Sequence, residues 1–179
     1  MQITTERLLL REFVESDWPA VLAYQSDPRY LRFYSWEQRM EEEVRGFVQQ
    51  FIARQQEQPR CKFQLAIVLA EGELIGNCGI RLQKVESRQG ELGYELAPSW
   101  WGHGYATEAA RAMLTFGFQE LSLHRIWASC VARNTASARV LERLGMHREG
   151  RLREQEWFKG RWWDTLVYGI LEQEWSIAR

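Results

Sequence analysis

Apolar and polar positions change period several times along the chain, and each change predicts an element. Arg7–Phe13 (RLLLREF) holds a short apolar run and predicts a first strand. In ESDWPAVLAYQSD, Asp17 or Ser16 stands where a helix cap is expected, and Pro19 lies early in the helix, where its missing N–H is harmless. Met40, Val44, Phe47, Val48, Phe51 and Ile52 recur at helical spacing and predict a second helix from Ser35 to about Gln56. Glu37 and Glu41 to Glu43 crowd its first half, where the helix dipole favours carboxylates. Lys62–Ala70 and Leu74–Val85 read as strands joined by a hairpin turn at EGEL. Gly90–Pro98 (GELGYELAP) is a further strand, stopped by its proline.

A third helix follows SWWGHG. Ala106, Ala109, Ala110, Met113, Leu114 and Gly117 form one face of it, mostly small near the start, so the helix can lie close to a sheet. His124–Ala132 is strand-like, and NTASARVLERLG is a short helix with Asn134 or Thr135 as cap and Gly145 as stop. From Met146 the pattern alternates around FKGRWWD and predicts a hairpin closing near Trp175. The order is strand, two helices, three strands, helix, strand, helix, two strands. That is an α/β layer on a mixed sheet, with antiparallel hairpins and one parallel pair made by a crossover.

Composition narrows the classes. A length of 179 residues, with no repeat, linker or low-complexity stretch, predicts one domain spanning 1–179. A formal charge of −1 argues against nucleic acid as a partner. Cys61, Cys78 and Cys130 have no metal spacing and lie in apolar strands, so free thiols in a reducing cytoplasm, and no metal, are expected. The first residues are too charged for a signal peptide, and no apolar run approaches the roughly 20 residues of a membrane span.

The chemistry begins at SWWGHGYATEAAR, Ser99 to Arg111. A helix N-terminus exposes unpaired N–H groups at the positive end of its dipole, and anions bind there. Gly102 and Gly104 let the backbone curl so that several N–H groups converge, and Ala106 keeps the wall thin. No Gly-Lys-Ser/Thr follows, which excludes a Walker loop. Thr107 stands where a dinucleotide fingerprint needs its third glycine. On these residues alone, a phosphate cradle and a plain strand-to-helix turn both remain open.

GELGYELAPSWWGHGYATEA resembles the acetyl-coenzyme A signature of the GNAT acetyltransferase superfamily. The family pattern Gln/Arg-x-x-Gly-x-Gly/Ala falls on Trp101-Gly102-His103-Gly104-Tyr105-Ala106, with Trp101 in place of the usual Gln or Arg. NTASARVLERLGM resembles a later segment of the same family. TTERLLLRE and EGRLREQEWFKGRWWDTLVYGILEQEW resemble the first strand and terminal hairpin of its RimJ/RimL-like branch, which acetylates protein N-termini and some small amines. The resemblance implies an α/β (α+β) fold: one mixed, mostly antiparallel sheet of about seven strands, split in a V between the fourth and fifth, with four helices. It also implies transfer of acetyl from acetyl-CoA to a primary amine by direct attack. The acceptor would be a small molecule or a peptide such as a ribosomal-protein N-terminus.

The same resemblance assigns roles. The backbone from Gly102 to Ala106, with Thr107 and His103, would hold the pyrophosphate. Glu95, Leu96 and Ala97 would line a gap opened by a strand bulge, in which the pantetheine lies, with the Leu96 N–H as oxyanion donor and Asn134 bonding the arm. Ser137 shares a helix face with Val140, Leu141 and Leu144. By spacing it either bonds a backbone carbonyl or faces a ligand, and the resemblance makes it the general acid. Glu91, and after it Glu95, is the candidate base. Tyr34, Trp36 and Trp162 are candidate walls of the acceptor cleft; core packing and a homodimer contact remain alternatives for these aromatics. Two rival classes stay open: a catalytically silent coenzyme A sensor, and an interaction protein using its aromatic surface.

Overall fold

The computed structural model describes residues 1–177 of the chain. Eight strands form one sheet: β1 (Gln2–Thr4), β2 (Leu8–Arg11), β3 (Lys62–Leu69), β4 (Leu74–Arg81), β5 (Gln89–Leu96), β6 (Arg125–Val131), β7 (His147–Phe158) and β8 (Arg161–Leu171). Their spatial order is β1-β2-β3-β4-β5-β6-β8-β7. Every neighbouring pair is antiparallel except β5 and β6. The helices are α1 (Trp18–Gln25), α2 (Pro28–Leu31), α3 (Glu41–Arg54), α4 (Tyr105–Gln119), α5 (Thr135–Arg143) and α6 (Glu172–Ile177). The mixed fold and its split agree with expectation; there are eight strands where about seven were expected, and six helices among the described residues where four were.

The differences have local causes. Asp17 directly precedes α1, but its carboxylate grips Arg11 through two 2.8 Å bonds and accepts the Val14 N–H, so it fastens the turn before the helix. The helix expected from Ser35 starts only at Glu41, where Glu43 accepts the Met40 N–H at 2.9 Å. The residues before it are drawn into an aromatic stack. The terminal hairpin stops at Leu171, because the Glu174 side chain accepts the Leu171 N–H and starts α6.

Both faces of the sheet are covered, which explains the nearly continuous apolar runs of β3 and β4. One face carries α4 and α5 over Leu65, Ile67, Ile80, Leu92 and Ile126. The other carries α1 to α3 over Ala66, Val68 and Leu74. Met113 and Leu114 of α4 are fully buried, each contributing about 1.5–3 kcal/mol of apolar burial. Gly117 permits this contact: a Cβ there would meet Ile80 and Ile126 side chains at 2.7 Å.

Strands β5 and β6 pair at only three positions, Gln89 with Arg125, Gly90 with Ile126 and Glu91 with Trp127. Beyond Glu91 each keeps unbroken register with its outer neighbour, β5 with β4 as far as Leu96 and β6 with β8 as far as Val131. The V therefore opens without a bulge in the β4–β5 ladder, contrary to expectation. Two twisted half-sheets each hold their own ladder and diverge from a short hinge.

Candidate active site

Leu96 ends β5 at the open side of the V. The Ala97 N–H donates to the Ile75 carbonyl at 2.7 Å, and the β4–β5 register is regular. Antiparallel strands alternate the direction of their backbone groups, so the N–H groups of Tyr94 and Leu96 face the split. The Leu96 carbonyl is engaged by the Trp101 indole N–H at 2.8 Å. That bond accounts for Trp101: its ring ties the loop to the strand end, although it remains 45% exposed.

A 3-10 turn over Pro98–Trp100 leads into the glycine loop. Gly102 and Gly104 both have φ of +84°, a conformation open to glycine and costly for other residues. The first bond of α4 runs from the Glu108 N–H to the Gly104 carbonyl at 3.0 Å. The N–H groups of Tyr105, Ala106 and Thr107 lie ahead of it, with no carbonyl of their own helix to meet. The His103 ring is turned back on the Trp101 carbonyl at 3.0 Å and stacks on Tyr105.

Arg7 braces this loop from the far end of the chain, a feature the sequence reading missed. Its Nη1 donates to the His103 carbonyl at 3.0 Å and its Nε to Glu108 at 2.7 Å, while the guanidinium lies 4.5 Å from the centre of the Tyr105 ring. Glu108 also accepts the Arg7 N–H and the Thr5 hydroxyl. Burial works against the Glu108 charge, but these donors outweigh it and hold the carboxyl below its usual range.

Two constellations flank the end of β5, one on each face, because alternate residues of a strand point opposite ways. On the α5 face, the Tyr94 hydroxyl lies 2.9 Å from the Ser137 hydroxyl and donates to the Ser137 carbonyl at 3.0 Å. Burial pushes the Tyr94 hydroxyl well above its ordinary pKa, with the Ser137 bond opposing, so it remains a proton donor. Asn134 caps α5, its Oδ1 accepting the Ser137 N–H at 3.2 Å, which leaves its Nδ2 as the group to offer elsewhere.

On the α1 face, Glu95 Oε2 accepts from Asn77 Nδ2 at 2.9 Å, Gln25 Nε2 at 3.0 Å and the Tyr24 hydroxyl at 3.2 Å. Gln64 donates to Asn77 at 2.6 Å and Arg39 to Gln25 at 3.1 Å. Tyr24, Gln25 and Asn77 are almost fully buried. Gln64 and Asn77 interrupt the apolar runs of β3 and β4, a signal present in the sequence itself. Above Glu95, Tyr30 stacks on Tyr34 with centroids 4.6 Å apart, Tyr34 on Trp36 at 4.7 Å, and Arg39 lies 4.8 Å over the Trp36 ring. Burial, and then the Glu95 charge, push the hydroxyls of Tyr24, Tyr30 and Tyr34 upward. A cavity of about 530 Å³ opens nearby, between Ser26, Pro28, Leu31, Glu37, Arg39 and Lys159.

Glu91 and Trp162 stand apart from this centre. Glu91 lies 3.4 Å from the Arg81 guanidinium, at the closed end of the V. Trp162 is 53% exposed and pairs with Trp157 across the hairpin, while alternation turns Trp163 inward against Phe33 and Phe158. The structure thus brings together Glu95, Leu96, the loop, Asn134 and Ser137 around the split, and Tyr34 with Trp36 above it. It does not bring Trp162 to Tyr34 and Trp36.

Residues 7–147 match the acetyltransferase (GNAT) domain family. The chain is 38% identical over 176 residues to a Bacillus subtilis (strain 168) protein called uncharacterized N-acetyltransferase YnaD, covering 98% of this chain and 100% of that one. The crystal structure of a GNAT-family acetyltransferase from Bacillus anthracis superposes with a TM-score of 0.84 at 36% identity, covering 97% of this chain and 99% of that one. RimL, a ribosomal L7/L12 α-N-protein acetyltransferase solved with coenzyme A, superposes with a TM-score of 0.84 at 23% identity, covering 96% and 98%. That last likeness is one of fold.

Proposed function

Because the chain belongs to the GNAT acetyltransferase family, we propose that it moves acetyl from acetyl-CoA to a primary amine by direct attack on the thioester. The acceptor is a protein N-terminal α-amine or a small-molecule amine. The observation that carries this reading is the parting of β5 and β6 after three paired positions, with the Leu96 N–H aimed into the gap and the glycine loop at its rim. An extended pantetheine takes the place of the missing ladder, and its diphosphate meets the N–H groups from Gly102 to Thr107. The fold is shared with a protein solved with coenzyme A, which supports the same seat.

Each task then has a group. The loop N–H groups and the Asn134 amide hold the cosubstrate and aim its thioester along the split, where orientation supplies several kcal/mol of the barrier. The Leu96 N–H meets the negative charge that develops on the thioester oxygen; it is fixed by the β4–β5 ladder and needs no reorganisation. Ser137, backed by the Tyr94 hydroxyl, protonates the departing thiolate. Tyr34 and Trp36 wall the entry of the acceptor on the opposite face.

The experiment is calorimetric titration with acetyl-CoA, followed by thiol release with N-terminal peptides, primary alkylamines and polyamines. Binding with amine-dependent thiol release is expected. Binding without release on any amine would leave a coenzyme sensor, and no binding would leave an interaction protein.

A further inference from the structure

Glu95 is held as no other carboxylate of the site is. Its three bonded partners are neutral, come from α1 and β4, and all converge on one oxygen, leaving Oε1 outside the set. Behind them the chain of amides runs on to Gln64 and Arg39. Buried polar side chains in the middle of two strands cost stability unless fully bonded, and apolar residues would pack there at least as well. Glu91, by contrast, faces a cation, and Arg81 lies along Gly93 between the two glutamates. Arg81 occupies Glu91 as an ion-pair partner, whereas the three partners of Glu95 carry no charge: they fix its orientation and leave Oε1 for an arriving cation. The walls beside Glu95 also carry a buried polar atom without a partner, the Trp36 indole N–H. Unmet buried groups of this kind are expected where a polar ligand completes the site.

We infer that Glu95, oriented by Tyr24, Gln25 and Asn77, receives the acceptor's ammonium group and takes its proton, in place of Glu91. This rests on the acetyl-transfer reading above and names the base within it. Glu95 removes one proton from the ammonium and later yields it to water. The freed amine forms the N–C bond and the C–S bond breaks. The thiolate leaves with the Ser137 proton, which is replaced through solvent by a second proton from the nitrogen. One proton stays on the amide. Tyr94 and Glu95 are adjacent in β5 and so sit on opposite faces: the amine enters from the α1 side and the thiol is protonated on the α5 side. The charged and titratable groups around Glu95 are Tyr24 on α1, Tyr30 on α2, Tyr34 and Arg39 in the following loop, Arg81 on β4 and Glu91 on β5.

The test uses the full chain, the most active amine of the screen above, and a primary alkylamine. Glu95→Gln should lower kcat/KM for the amine about 100-fold at pH 7, with acetyl-CoA affinity and melting temperature close to wild type. The deficit should shrink toward about pH 10, where the alkylamine is increasingly neutral and needs no base. Asn77→Leu should give about a tenfold loss at unchanged acetyl-CoA affinity, since it removes a positioning donor. Should Glu95→Gln fail to fold, Glu95→Asp serves: it keeps a carboxylate and should keep the pH dependence at a lower rate. A deficit that is the same at every pH overturns the inference, as does a loss that follows Glu91→Gln and spares Glu95→Gln. A wild-type chain that binds acetyl-CoA but releases no thiol with any amine overturns the acetyl-transfer reading itself, and the inference with it.

Discussion

The hydroxyls of Tyr94 and Ser137 lie 2.9 Å apart, joining the end of β5 to the first turn of α5 across the mouth of the split. Ser137→Ala should lower kcat about 100-fold while changing the KM for acetyl-CoA less than threefold, because in the proposed reaction the hydroxyl acts on the leaving group and carries little of the binding. Tyr94→Phe should cost less, since Ser137 keeps its own proton. Steady-state kinetics by thiol release check both. The high Tyr94 pKa adds a sign: no rate loss from Tyr94 ionisation should appear up to about pH 10.

Gly104→Ala places a side chain at φ +84°, a strain of about 1–2 kcal/mol. The loop relaxes at the expense of its converging N–H groups, so the KM for acetyl-CoA should rise about tenfold with a smaller change in kcat. Trp101→Phe removes the donor to the Leu96 carbonyl and should act in the same direction, more weakly. Calorimetric Kd values for coenzyme A report both effects.

Glu108→Gln should loosen the Arg7 brace, lowering the melting temperature and raising the KM for acetyl-CoA. The Glu108 carboxyl lies below its ordinary value of 4.5 in the folded chain. Its contribution is therefore complete above about pH 4.5 and fades as pH falls through the depressed folded value. The gap between wild-type and Glu108→Gln melting temperatures should be constant near neutrality and close in acid.

Burial pushes the Cys78 thiol up to about 12 and the Cys130 thiol to about 11. The thiolate is the reactive form, so neither should alkylate appreciably with iodoacetamide at about pH 7.5 in the folded protein. Mass spectrometry after brief labelling, with and without denaturant, tests this. Rapid labelling of Cys78 in the native chain would contradict the packing described for β4.

Local patterns are legible wherever one face of an element meets a core. The period of Met40, Val44, Phe47, Val48 and Phe51 marked α3, and the small residues of α4 announced its close approach to the sheet. The start of α3 was misplaced because Tyr34 and Trp36 leave the helical path to stack with Tyr30, a choice made by their neighbours. Trp162 and Trp163 differ in exposure only because alternation turns one inward against Phe33, on α2's side of the molecule. Glu91 and Glu95 share one face of β5, and neither the position of the split between them nor their different partners is marked in the local pattern.

The sequence by itself determined most of the elements, their order and the glycine turn before α4, because helical period, strand alternation and positive-φ glycines act through neighbours a few residues apart. Tertiary structure alone decided where β5 and β6 part, that Arg7 would brace a loop about a hundred positions away, and that Gln25, Asn77 and Tyr24 would meet on one carboxylate. Those relations depend on how two half-sheets twist and which faces the helices cover. Residues distant in the chain acquire a common environment only when the packed core sets it.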